Sequence, residues 1–273
     1  MTRTPRAFVL YGLLLIGSLL ALLPLWWMVA ASLMPSGEAN SVPPRLWPSR
    51  VTSEHYAQLF DRLNLARYAA NSLLVALSTT LISVALNSMA GYAFAKLHFT
   101  GRDRLFRFLV AALVIPGQIG MLPLFLMLKE LGLINTYWAV IIPGMASIYG
   151  IFLVRQYAQS IPDTLLDAAR IDGASELRIY WELVLPSCRP ILVTLGLFTF
   201  MGVWNDFLWP LVVLTDGDMY TLPVALANLV GEHVQDTELM MAGSVLTLLP
   251  VMIVFLVLQR AYIRGVMMGS VKG

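Results

Sequence analysis

Ile161 to Pro186 form a charged segment between two strongly apolar stretches. Their residue types suit recognition rather than catalysis. Asp163 and Asp167 fall in the early turns of a predicted helix, where acids favour the N-terminus. Asp172-Gly173 ends it, because glycine readily takes the left-handed conformation just past a helix. Ser175 can cap a second helix, and Pro186 biases Leu185 toward an extended conformation that closes it. Ile161, Leu165 and Ala168 recur at four and three, giving one apolar face. Leu177, Tyr180, Trp181 and Val184 give a second. Ala168 and Ala169 have minimal side chains, so another surface can approach closely. A helix, a sharp turn and a helix result. That form fits a docking device and, equally, an ordinary inner loop with interfacial helices.

Other chemistries find little support. His55, His98 and His233 show no metal-ligand spacing, and each reads as an ordinary loop residue. The single Cys188 excludes an internal disulfide and a cysteine metal cluster. No Gly-rich loop ends in Gly-Lys-Ser/Thr, so the chain is not itself an ATPase. No enzyme activity, metal or bound cofactor is expected. A net charge of +2 is too small to suggest nucleic-acid binding.

Some polar groups lie in apolar surroundings. Asn205 and Asp206 precede Pro210, and Asp206 is the one acidic residue placed within a predicted span. An intramembrane charge suggests function by default, although a structural hydrogen-bonding role fits Asp206 as well. Ala76, Thr80, Ser83, Asn87 and Gly91 recur at four, three, four and four, a face for close helix packing or for a wet cavity. Gln118 follows Pro116-Gly117 and precedes Pro123. That segment suits a packing kink or irregular backbone beside a cavity. Asn87, Gln118, Asn205 and Asp206 are the candidates for lining a substrate path.

The elements that must position these residues are set by composition. Of 273 residues, 58% are hydrophobic and 12% charged. A soluble domain carries about 25% charged residues, so the chain is expected to be an all-α integral membrane protein. A crossing helix needs about 20 apolar residues. Six segments qualify, at about 8–33, 69–95, 107–127, 137–155, 190–214 and 242–260. The first follows Arg3 and Arg6 and is too long for a signal h-region, so it is read as an uncleaved anchor. With the N-terminus inside, the outer side holds Arg45, Arg50, Arg62, Arg67 and Lys129, leaving 13 of 18 basic residues inside. Both termini therefore face the cytosol. Trp26, Trp27, Trp138 and Trp209 fall at outer ends, where indoles favour the interface.

The outer loop at 34–68 is irregular early, at Pro43, Pro44 and Pro48. From Ser53 it places Tyr56, Leu59, Phe60 and Leu63 at helical spacing, a short amphipathic helix on the outer membrane surface. The loop at 215–240 is acidic and contains a turn at Asp216-Gly217-Asp218. Residues 1–68 are read as an appendage to a five-helix core at 69–264, with a cytosolic loop at 156–189 and a tail at 265–273.

Asp167-Ala168-Ala169, Asp172-Gly173-Ala174 and Leu185-Pro186 together resemble the EAA loop of permease subunits of ATP-binding-cassette (ABC) importers. That pattern reads Glu-Ala-Ala, then Gly four residues on, then Leu-Pro. Asp167 stands where the pattern has Glu, keeping the charge with a shorter reach. Asn71-Ser72-Leu73, the run Trp204 to Pro210, and the tail from Gln259-Arg260 to Gly273 are similar too. The chain thus resembles the carbohydrate-uptake branch, in particular the smaller permease of maltose transporters. The resemblance implies a six-span, type I importer permease in a bacterial or archaeal cytoplasmic membrane. It also implies a second, homologous permease, two ATPase subunits that use ATP and Mg, and an extracytoplasmic sugar-binding protein. The EAA residues, from Asp167 to Pro186, would couple to an ATPase. A sugar is the implied substrate. A solute such as glycerol-3-phosphate is the alternative, weakly disfavoured because no cation lies mid-span. An ion-coupled carrier is disfavoured by the lack of deep ionisable residues.

Overall fold

The computed structural model describes residues 5–61, 64–232 and 236–268, and among these every regular element is helical. The helices in chain order begin with α1 (Pro5–Ser32), α2 (Glu54–Asp61), α3 (Leu65–Lys96), α4 (Arg102–Ala112) and α5 (Met121–Glu130). They continue with α6 (Tyr137–Gly144), α7 (Ile148–Ala158), α8 (Asp163–Ile171), α9 (Glu176–Ile179) and α10 (Leu185–Ser187). The last are α11 (Arg189–Trp204), α12 (Leu208–Val213), α13 (Leu222–Glu232) and α14 (Thr237–Met268). Leu63, His233 and the tail from Gly269 to Gly273 lie outside the described residues.

Four stretches are long and apolar enough to cross a membrane: Val9–Ser32, Leu65–Lys96, Tyr137–Ala158 and Thr237–Gln259. Two bent pairs qualify only together, Arg102–Ala112 with Gly117–Glu130 at 96° and Glu176–Ser187 with Arg189–Trp204 at 78°, so up to six crossings are present. The first stretch is apolar all round, exposing Leu13, Leu20 and Leu23, which suits lipid or another apolar surface.

Three predicted spans are corrected. The third is broken where Pro116-Gly117 suggested a kink or irregular backbone: α4 stops at Ala112, and Pro116, extended at ψ 131°, starts a short 3-10 turn over Gly117–Gly120. The proline ring fixes φ and removes a donor, so the helix breaks there. The fifth is interrupted too, because α11 ends at Trp204 and α12 begins at Leu208. The sixth starts earlier, at Thr237, so Glu238 also belongs to an apolar helix and Asp206 is not alone. The acidic loop after α12 holds the expected turn, where Asp216 accepts from the Asp218 N–H at 3.0 Å, and also the unexpected α13.

The residues group into two compact units, one from 1–67 with 225–250 and one from 68–224 with 251–273. In the first, the predicted helix after Ser53 is present as α2, but its faces differ from expectation. His55 and Leu59 are fully buried while Phe60 is exposed. The His55 ring bonds through Nε2 to the Met34 carbonyl at 2.9 Å, so it is not a loop histidine. Glu238 is also fully buried, and its Oε1 accepts from the Ala39 N–H at 2.7 Å.

In the second unit the small and polar stripe of α3 packs against its neighbours. Ala76, Ser83 and Asn87 are fully buried. A Cβ on Gly91 would lie 2.6 Å from the Val154 Cβ, so only glycine permits that helix approach. Asn71 donates to the carbonyls of Asp218 and Tyr220 at 3.0 Å, and Ser72 Oγ accepts from Leu222 N–H at 2.7 Å. These two residues tie the start of α3 to the turn at 216–220.

Candidate functional site

The segment 161–189 forms two short helices around a sharp turn. Pro162 is extended, with ψ 132°, so α8 begins only at Asp163. At its end Gly173 takes φ +81°. The Gly173 N–H donates to the Arg170 carbonyl at 3.0 Å and the Ala174 N–H to the Ala169 carbonyl at 2.9 Å. This is the Schellman pair of bonds, which satisfies two carbonyls otherwise left open at a helix end. Ser175 then caps α9, its hydroxyl accepting from the Arg178 N–H at 3.3 Å.

The apolar faces divide differently from the predicted sets. Because Ile161 precedes the helix, it is buried on its own account. Leu166 is buried and Ala169 packs against the same core, whereas Leu165 and Ala168 face outward. In the second helix Ile179, Tyr180 and Val184 are buried, while Leu177 and Trp181 are 61% and 56% exposed. Ile171, at 86%, is the most exposed of the loop's large hydrophobic residues. Leu165, Ala168, Ile171, Leu177 and Trp181 are therefore apolar groups left exposed, without a cover on this chain.

Pro186 does not close the second helix. Leu185 is helical at φ −60° and ψ −47°, and Tyr180–Val184 form a π turn. The Leu185 N–H reaches back five residues to the Tyr180 carbonyl. A π turn shifts the bonding register, which relieves the clash that proline makes with the carbonyl four residues back. The chain then bends by 78° at Cys188 into α11. The helical path from the turn into an apolar span is thus continuous except for one bend.

Polar bonds that the sequence did not disclose hold this unit on α3. Arg170 donates to Asp167 Oδ1 and to Glu176 Oε1, both at 2.7 Å, joining the two helices across the turn. Tyr92 of α3 donates to Glu176 Oε2 at 2.6 Å, and the hydroxyls of Ser88 and Tyr180 lie 2.7 Å apart. Lys96 Nζ donates to the Ile161 carbonyl at 2.6 Å and to Asp163 Oδ1 at 2.7 Å. The hydrogen bonds from Arg170 and Tyr92 hold the Glu176 carboxyl below the usual glutamate range. The Lys96 ammonium does the same for Asp163. Arg170 in turn is held more firmly protonated by Glu176 and Asp167. Asp172 and Ala174 line a small cavity between the helices together with Arg178 and Glu182. The signal that could have pointed to Arg170 and Glu176 was their six-residue spacing across a predicted Gly turn. Nothing in the sequence pointed to Tyr92 as the partner of Glu176, or to Ser88 as the partner of Tyr180.

The polar path candidates fall in different settings. Asn87 is buried, donates to Ser83 Oγ at 2.7 Å and accepts from the Ser147 N–H at 3.0 Å, so its amide is used within the chain and helps start α7. Gln118 is exposed in the 3-10 turn. Asn205 and Asp206 occupy the break between α11 and α12, with Asn205 exposed and Asp206 accepting from the Trp209 N–H at 3.4 Å. No hydrogen bond joins Asn87, Gln118 and the Asn205–Asp206 pair among the described residues.

Residues 83–268 match the family described as "Binding-protein-dependent transport system inner membrane component". The arabinooligosaccharides transport system permease protein AraQ of Halalkalibacterium halodurans is 38% identical over 272 residues, covering 97% of this chain and 98% of that protein. AraQ of Bacillus subtilis is 36% identical, covering 94% and 92%. A bacterial ABC transporter that imports the acidic polysaccharide alginate contains a chain of similar fold. Its TM-score is 0.83 at 24% identity, covering 95% of this chain and 98% of that one.

Proposed function

Because the chain belongs to the family of binding-protein-dependent transport system inner membrane components, we propose that it is the permease through which an ABC importer passes a sugar, driven through the loop at 156–189. As a family member it is a multi-pass subunit of a multi-subunit importer in the cytoplasmic membrane, and a transport subunit rather than an enzyme. Beyond that frame, the observation that carries the reading is the outward apolar side of the two-helix unit. Leu165, Ala168, Ile171, Leu177 and Trp181 are uncovered on a unit whose other side is anchored to α3. An ATPase subunit docks on that side, with Asp167, Ala168, Ala169, Asp172, Gly173 and Ala174 at the turn and Leu185-Pro186 leading into the bend.

The clamp from Asp167 through Arg170 and Glu176 to Tyr92 makes the unit a lever. When the ATPases close on ATP, the loop moves as a body and α3 and α11 move with it. The two permeases pass from inward-facing to outward-facing, and hydrolysis resets them. Gln118, Asn205 and Asp206 lie at breaks in apolar helices. Broken backbone at membrane depth is tolerated where it lines a wet cavity, which suits a route for a hydroxyl-rich solute. Asn87 shapes the wall of that route by fixing α7. The five-helix core at 69–264 carries the path, and the loops at 34–68 and 215–240 face the extracytoplasmic binding protein.

The relatives named for arabinooligosaccharides favour a mono- or oligosaccharide over glycerol-3-phosphate. The test is uptake by proteoliposomes holding this chain, its sister permease and the ATPases. ATP inside and a sugar-loaded binding protein outside are both required for accumulation. Uptake driven by an ion gradient without ATP would overturn the reading.

A further inference from the structure

A second surface of the chain lies away from the docking loop. Residues 98–107 form an open cavity of about 760 Å³ lined by His98, Arg102, Arg104 and Arg107, with Asp103 as the one acid. The cup is built rather than loose. Gly101 turns the chain at φ +85°, and Arg102 donates to the Leu97 carbonyl at 3.1 Å. Behind it Phe94, Phe99 and Phe106 pack ring against ring at 5.5 to 5.8 Å. The Arg155 guanidinium lies 3.9 Å over the Phe106 ring. Arg102 spends part of its charge on Asp103 at 3.1 Å, and Arg107 Nε is bonded to the Asp103 carbonyl. Arg104 has no acidic partner among the described residues, so the cup keeps an excess of positive charge.

Next to the arginines, α4 exposes apolar side chains. Leu105 is 48% and Phe108 70% exposed, while Phe106 is turned inward. Arg104 and Phe108 are one turn apart, so cation and ring share a face. The charge bias of the loops places this end of α4 at the inner membrane surface. A fixed basic cup bordered by uncovered apolar groups at that level matches one chemistry, an anionic head group with acyl chains attached.

We propose that the 98–108 surface binds an anionic phospholipid of the inner leaflet, its phosphate against Arg104 and Arg107 and its chains along Leu105 and Phe108. Free phosphate would have no use for Phe108. This assignment is independent of what the docking loop binds.

The test uses the assembled importer in nanodiscs of mixed phosphatidylcholine and phosphatidylglycerol, with retained lipids counted by native mass spectrometry. Wild type retains phosphatidylglycerol in preference to phosphatidylcholine. R104Q/R107Q loses that preference by about fivefold for each arginine removed. R104K/R107K restores it, which separates charge from folding. F108S weakens retention as well, with little packing lost, since the ring is 70% exposed. Equal retention of both lipids by wild type overturns the proposal. So does an undiminished preference in R104Q/R107Q, or a loss of ATPase subunits from that variant with lipid retention intact, which would make the surface a protein contact.

Discussion

Replacing Gly173 separates two reasons for a glycine at the turn. The residue sits at φ +81°, and a Cβ built there meets nothing within 4 Å. On this chain, therefore, a side chain costs backbone strain and no clash. A non-glycine L-residue in the left-handed region costs about 1–2 kcal/mol, or about 5- to 30-fold in the population of the turn. Two hydrogen bonds, from Gly173 and Ala174, depend on that turn. Asn tolerates the left-handed region better than Ala, although its side chain is larger. If turn geometry transmits the stroke, Gly173→Asn keeps most uptake per ATP hydrolysed and Gly173→Ala loses several-fold. Val, β-branched, is worst. Reconstituted importers assayed in parallel for sugar uptake and ATPase activity give the ratio. The reverse order, with Ala active and Asn inactive, would mean that crowding by the docked ATPase sets the requirement, and the strain argument would fail.

Other outcomes follow from single contacts. Glu176 is held below its usual range by Arg170 and Tyr92, so its contribution is complete at neutral pH and is lost as pH falls through the lowered value. Glu176→Gln should therefore flatten the acid side of a melting-temperature profile; an unchanged slope refutes the clamp. Glu238→Ala leaves the buried Ala39 N–H without its acceptor, a cost of about 1–3 kcal/mol, and Glu238→Gln recovers part of it in thermal unfolding. Gly91→Ala drives a methyl into Val154, an overpacking of about 1–3 kcal/mol; an unchanged melting temperature contradicts the close approach.

Local chemistry made the loop legible. Gly173 after Asp172 and Ser175 before Glu176 act through neighbours one to five residues away, and both behave as their types require. Helix phase was harder. Ile161 and Leu165 stand at helical spacing, yet the extended Pro162 between them starts α8 afresh at Asp163, so Leu166 rather than Leu165 turns inward. Pro186 misled because a π turn, which has no sequence signature, carries the helix past it. The clamp was hidden because Tyr92 is 84 residues from Glu176. His55 and Glu238 were hidden for the same reason, since their acceptor and donor belong to distant backbone. In the spans, apolar length was readable, and Pro116 marked the break in the third, but the break at Asn205 to Phe207 depends on packing and capping that composition does not encode.

The central claim is that the outward side of α8 and α9 is covered by an ATPase subunit. Ala168→Cys places a thiol on that exposed side, while the native Cys188 is buried. Its maleimide labelling in inside-out vesicles is the direct measurement. The account predicts rapid labelling when the permeases are present alone and strong protection when the ATPase subunits are assembled. Equal labelling in both would contradict it.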